Sequence, residues 1–211
     1  MIHEIIPVGF YFQQNCCVLA DEDTREAFLV DPGDEAGVIL AAIDKLQVQV
    51  KAILITHAHL DHVGALAQTK AALGVEAYMH PGEIPLYKSV SEQAALFGLP
   101  PIEMTNIEHP LAEGDILKIG RYELQALETP GHSPASVSFY IPQANCVIAG
   151  DTLFKRSIGR TDLPGGNHAQ LIRSIRQKLL TLPASTEVHP GHGPSTTIAE
   201  EAKYNPFLAG A

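Results

Sequence analysis

The sequence is short of positive charge. Fourteen lysines and arginines stand against 24 aspartates and glutamates, a net charge of −10 with histidine neutral. A deficit of that size repels phosphate backbones and anionic lipid, so neither nucleic acid nor a membrane surface is an expected partner. Cysteine is scarce too. Cys16 and Cys17 lie in the apolar run NCCVLA, and Cys146 lies in NCVIAG. Three cysteines in 211 residues argue against a disulfide scaffold and for buried thiols in a reducing compartment. No apolar stretch is long enough to span a bilayer. The opening residues, MIHEIIPVGFYFQQN, lack the basic start, continuous apolar core and small-residue cleavage site of a secretory signal. A cytoplasmic location is expected. Repeats, low-complexity tracts and linkers are also missing, which predicts one domain over 1–211.

What is there fits a globular chain. Hydrophobic residues make up 45% and charged residues 18%, enough for a substantial core. IHEIIPV, NCCVLA and AFLVD read as short strands before the stop signal Asp31-Pro32-Gly33. Asp34 to Leu46 reads as a helix with Val38, Ile39, Ala42, Ile43 and Leu46 on one face. AILIT (52–56) is a buried strand. His62 to Leu73 reads as a helix, capped by Asp61 and ended by Gly74. EAYM is a strand, and residues 82–106 form a connection around a short helix, SEQAALFG. DILKI and RYELQALET make two strands turned at Gly120-Arg121, followed by VSFYI and CVIAG. His168 to Leu180 reads as a helix with Arg173, Arg176 and Lys178 facing water. A short helix closes the chain between Thr196 and Tyr204. The order is strands, helix, strand, helix, then the same again. It predicts an α+β fold, an αββα sandwich of two mixed sheets packed face to face with helices on the outer faces.

The strongest chemical signal is THAHLDHVG at 56–64, which sets His57, His59, Asp61 and His62 in six positions after a buried strand. Chance would place such an H-x-H-x-D-H in roughly one chain in a thousand of this composition. Imidazole and carboxylate suit borderline metals, and a loop at a strand end can aim them into one cavity. Three further sites repeat the pattern. His132 follows Pro130-Gly131, Asp151 follows Gly150, and His192 follows Pro190-Gly191, each after a strand.

Together THAHLDH, TPGHS, GDTLF and HPGHG resemble the motifs of the metallo-β-lactamase superfamily, in its order and over nearly the whole chain. The resemblance implies that His57, His59 and His132 bind a first metal ion. Asp61, His62 and His192 would bind a second, and Asp151 would bridge the two. Zinc is the expected metal, with iron and manganese as alternatives. Two cations about 3.5–4 Å apart can share one water, and zinc lowers the pKa of bound water to about 7. A bridging hydroxide then attacks an acyl carbonyl with no serine or cysteine nucleophile. Asp61 is expected to steer that hydroxide as well as to ligate.

Within the superfamily the chain is most similar to short forms of glyoxalase II, the hydroxyacylglutathione hydrolases, through GDTLFKRSIGRTDLPGGNHAQLI, PGHGPSTT and NPF. That likeness implies hydrolysis of a small-molecule thioester such as S-lactoylglutathione. Larger members carry a C-terminal helical domain, which is not expected in this chain, and the resemblance implies that His189 stands where those enzymes have a glutathione-contacting tyrosine. Lys155, Arg156 and Arg160 form a basic group in an acidic chain, and Lys155 and Arg160 are expected to meet a substrate carboxylate. His3, His80, His109 and His168 match no motif and are expected to be surface or structural residues. The competing reading is a mononuclear-iron persulfide dioxygenase, which shares the histidine motif and a Gly-Arg-Thr-Asp run like Gly159 to Asp162.

Overall fold

The computed structural model describes residues 1–209. The chain divides into two compact units, Met1–Leu111 with Lys118–Tyr122, and residues 112–117 with everything from Glu123 onward.

The first unit carries a six-stranded sheet in sequential order: β1 (Ile2–Val8), β2 (Gln14–Ala20), β3 (Glu26–Val30), β4 (Gln49–Leu54), β5 (Glu76–Met79) and β6 (His109–Pro110). β1, β2 and β3 are antiparallel neighbours, whereas β3 to β6 run parallel. The change follows from the connections. Short turns join the first three strands, while α1 (Ala36–Leu46) carries the chain back between β3 and β4. The pair α2 (Leu60–Val63) and α3 (Leu66–Leu73) does the same between β4 and β5. Ile6, Val18, Leu29, Ile53 and Ala77 pack with Ile39, Ile43 and Leu66 as the core.

The second sheet runs β14-β13-β10-β9-β8-β7 and lies mostly in the second unit. Its strands are β7 (Ile116–Ile119), β8 (Tyr122–Glu128), β9 (Val137–Ile141), β10 (Cys146–Gly150), β13 (Glu187–Pro190) and β14 (Thr196–Thr197). A hairpin of β11 (Leu153–Phe154) and β12 (Ser157–Ile158) stands apart. β10 and β13 are parallel, and α6 (His168–Ser174) lies between them in sequence. Val147, Ala149 and Val188 pack with Leu171, Ile175 and Leu179. Both sheets are therefore mixed. No helix among the described residues is long and apolar enough to cross a membrane.

Several local expectations need correction. α1 begins at Ala36 and not at Asp34, and its Val38 is 47% exposed while Ile39 and Ile43 are buried. The helix expected over 62–73 is two helices. It breaks because the Ala65 amide donates to the Pro32 carbonyl (3.0 Å) and not to the preceding turn. Asp61 sits inside the first turn of α2 and does not cap it. Residues 82–106 hold two helices, α4 (Ile84–Lys88) and α5 (Val90–Leu96). α6 is capped by the Asn167 side chain and widens after Ser174 into a π turn, closed by the bond from the Leu180 amide to the Ile175 carbonyl (2.8 Å). Arg176 is half-buried there and donates to the Leu208 carbonyl. The β11–β12 hairpin was not foreseen, because two-residue strands leave no periodicity to read.

Candidate metal centre

Each unit presents its own set of metal-capable side chains. In the first, β4 ends at Leu54 and the chain runs on through Thr56 and His57. Asp31, just past the end of the parallel neighbour β3, organises this stretch. It accepts from the Thr56 amide (2.7 Å), the Thr56 hydroxyl (2.5 Å) and His62 Nδ1 (2.9 Å). The last bond puts a proton on Nδ1 and the lone pair on Nε2, the tautomer a ligand needs. The His57 ring lies 4.0 Å from that of His62 and 4.9 Å from that of His59. Buried Glu83 accepts from the Ala58 amide (2.9 Å) and pins the loop between His57 and His59. Donor atoms of Asp31, His57 and His62 all lie within 4.8 Å of one another.

Gly33 makes this packing possible. A Cβ there would lie 1.7 Å from the Asp61 carbonyl oxygen, so the Asp-Pro-Gly turn presses directly on the short helix α2 that carries Asp61 and His62. The sequence reading treats Asp31-Pro32-Gly33 only as a stop signal. Its tie to His62 comes from the pairing of β3 with β4, which no local pattern reveals.

In the second unit, His132 follows β8, Asp151 follows β10 and His192 follows β13. His132 Nε2 and His192 Nε2 each stand 3.5 Å from Asp151 Oδ2. Two donors bound tetrahedrally to one zinc ion, each about 2.1 Å away, would stand about 3.4 Å apart, so this spacing fits a shared metal. His132 Nδ1 donates to the Arg160 carbonyl (2.8 Å), which again leaves Nε2 for the ligand role. A Cβ on Gly159 would fall 1.8 Å from the Asp151 carbonyl oxygen. That glycine lets the Arg160 segment pack against Asp151 and brings its carbonyl to His132.

Both arginines of the basic group are already paired. Arg160 makes a two-pronged pair with Asp162 (2.7 and 2.8 Å), which lowers the Asp162 carboxyl to about 2. Arg156 pairs with Glu200 (2.8 Å) and lies over the Tyr204 ring. Lys155 is exposed. His189 is in β13, with Nδ1 2.8 Å from the Ser195 hydroxyl, and burial pulls its pKa down to about 4. Among the unmatched histidines, His80 accepts from the Gly82 amide, and His109 stacks on Tyr78 beside Glu76.

The family profile described as the metallo-beta-lactamase superfamily matches residues 9–192. The chain belongs to the metallo-β-lactamase superfamily. A Haemophilus influenzae protein named hydroxyacylglutathione hydrolase GloC is 42% identical over 207 residues, covering 97% of each chain. Among solved structures, the B3 metallo-β-lactamase BLEG-1 superposes with a TM-score of 0.91 at 39% identity, covering 99% of this chain and all of the other. TTHA1623, solved in a di-iron-bound form, gives 0.89 at 42% identity, covering 97% of this chain and all of the other. The two mixed sheets with their helices have the metallo-β-lactamase fold, and the chain is a metallo-hydrolase of that superfamily.

Proposed function

We propose that the chain hydrolyses small-molecule thioesters of the hydroxyacylglutathione type in the cytoplasm. His57, His59, Asp61, His62, His132, Asp151 and His192 serve as ligands of two divalent metal ions. When bound, such ions supply water ionised near neutral pH and charge that stabilises a developing oxyanion. The chain's own residues prepare the ligands. Asp31 holds the Nδ1 proton of His62, and the Arg160 carbonyl holds that of His132. Both rings are thereby fixed before any metal arrives, a task on which ligand affinity depends. Asp61 orients the attacking water. Lys155, exposed beyond β11, meets a substrate carboxylate, and Arg160 does so by exchanging its partner Asp162.

The observation that carries the thioester reading is the likeness to the relative named hydroxyacylglutathione hydrolase along almost the full length of both chains. Zinc and iron both suit a His and Asp set, and the di-iron form of TTHA1623 keeps iron in view. The decisive experiment combines metal analysis with an assay panel on one sample. Two metals per chain and thiol release from S-lactoylglutathione are expected. One iron per chain with oxygen uptake on glutathione persulfide would establish the dioxygenase instead, and turnover of a β-lactam alone would establish a lactamase.

A further inference from the structure

A cavity of about 290 Å³ opens in the first unit between the β1–β2 turn, the start of α2 and the segment after α5. Tyr11, Phe12, Leu60, Leu99 and Ile102 give it an apolar wall. Asp61, one of the proposed ligands, also lines it, so the cavity adjoins the chemistry. Its charged lining is Asp34 and Asp61, with no lysine, arginine or histidine. No side-chain cation is there to pair with an anionic group and the Asp34 carboxylate would repel one, so the lining away from the metal ligand Asp61 favours an uncharged occupant.

Gln14 also lines the cavity. It is 1% exposed, and neither Oε1 nor Nε2 of its amide has a hydrogen-bond partner. A buried amide left open is costly and rare in a folded protein. Gly33 gives it room, because a Cβ there would come within 2.8 Å of Oε1. An amide with one donor and one acceptor role open is matched by a hydroxyl, which can both give and accept. The size points the same way. At about 30 Å³ for each water-sized share of volume, the cavity holds about ten such shares. A lactoyl group has about five non-hydrogen atoms and would leave half of it empty.

We propose that this cavity is the acyl pocket, and that it selects an uncharged 2-hydroxyacyl group with a bulky apolar substituent whose hydroxyl pairs with the Gln14 amide. The inference rests on the thioester-hydrolase reading and narrows its substrate class.

Glutathione thioesters of lactate, mandelate and phenylacetate test it. Mandeloyl should exceed lactoyl in kcat/KM by about tenfold, the scale of discrimination an apolar pocket gives. Gln14→Leu should lower the mandeloyl-to-phenylacetyl ratio of kcat/KM by about tenfold or more, since only mandeloyl carries the hydroxyl. A direct reading needs no variant. Mandelamide titrated into 15N-labelled, zinc-loaded protein should shift the side-chain amide signals of Gln14. Hydrolysis with lactoyl equal to or better than mandeloyl overturns the inference and leaves the thioester reading standing. So does a ratio unmoved by Gln14→Leu. If no thioester is cleaved, the earlier reading fails. In that case a Gln14 shift with mandelamide retains the ligand class of the cavity, and no shift removes it.

Discussion

His189 carries a pH dependence that its neighbours do not cancel. Burial lowers its pKa from 6.5 to about 4, and the Glu187 carboxylate 3.5 Å away is too exposed to oppose this strongly. The unfolded chain therefore binds a proton between those values that the folded chain does not. Stability is fully present above about pH 6.5 and falls as pH drops toward 4, by about 3 kcal/mol from this group. His189→Gln should flatten that limb, as read by denaturant melts at pH 7 and pH 4.5. An equally steep loss in the variant would assign the dependence to other groups. The cysteines make a second prediction at this scale. All three are buried, and burial pushes the Cys146 thiol up to about 12 and Cys16 well above the ordinary thiol value. Reaction needs an accessible thiolate. A thiol reagent should titrate none of the three rapidly in the native protein and all three in denaturant. The buried-thiol reading of NCCVLA and NCVIAG was open to sequence because those runs are apolar throughout. The part played by Asp31 was not, because it depends on a residue 25 positions away.

At the scale of elements, the least visible feature is the clamp on the β11–β12 hairpin. Glu201, fully buried in α7 (Ile198–Tyr204), accepts from the Thr196 hydroxyl (2.6 Å), the Arg156 amide (2.8 Å) and the Asn205 amide group (2.8 Å). Asn205 in turn donates to the Ser157 carbonyl (2.9 Å). The hairpin between Asp151 and Arg160 is thus held by a carboxylate from far along the chain. Glu201→Ala should cost about 3 kcal/mol, because three buried donors lose one acceptor. Calorimetry should record a fall in Tm of about 6–12 °C for a chain of this length. A shift under 2 °C would mean that the hairpin holds itself. Gly33→Ala is the sharper test of the first unit. A Cβ 1.7 Å from the Asp61 carbonyl cannot be accommodated without moving α2 with Asp61 and His62, so the variant should lose metal content even where it folds. Strands such as EAYM, VSFYI and CVIAG were legible to the residue from their composition. The broken α2–α3 helix and the π turn were not, since a tertiary bond from Ala65 and the packing around Arg176 decide them.

For the whole molecule, metal should act as a structural ligand as well as a catalytic one. Binding at a thousand times the dissociation constant stabilises by about 4 kcal/mol, so prolonged chelation should lower Tm by about 8–16 °C, reversed by adding metal back. A melt unchanged by chelation and matched by metal analysis near zero would count against a resident centre. The metal-capable residues were readable because His and Asp in such spacing are rare and locally encoded. What tunes them was hidden, because the Arg160 contribution is a backbone carbonyl and any residue could supply one.

The clamp on the hairpin also sets an order of events. Glu201 and Asn205 lie far downstream of the first set of ligands in the chain, and only shortly after His192. Sections of chain fold as they emerge, from the N-terminal end. The first set of ligands can therefore take shape before the second, which waits until Glu201 and Asn205 have emerged. Completion of the metal centre is on this account a late event along the chain, and a nascent chain stalled before residue 196 would carry the histidine motif without the clamp that holds the hairpin beside Asp151.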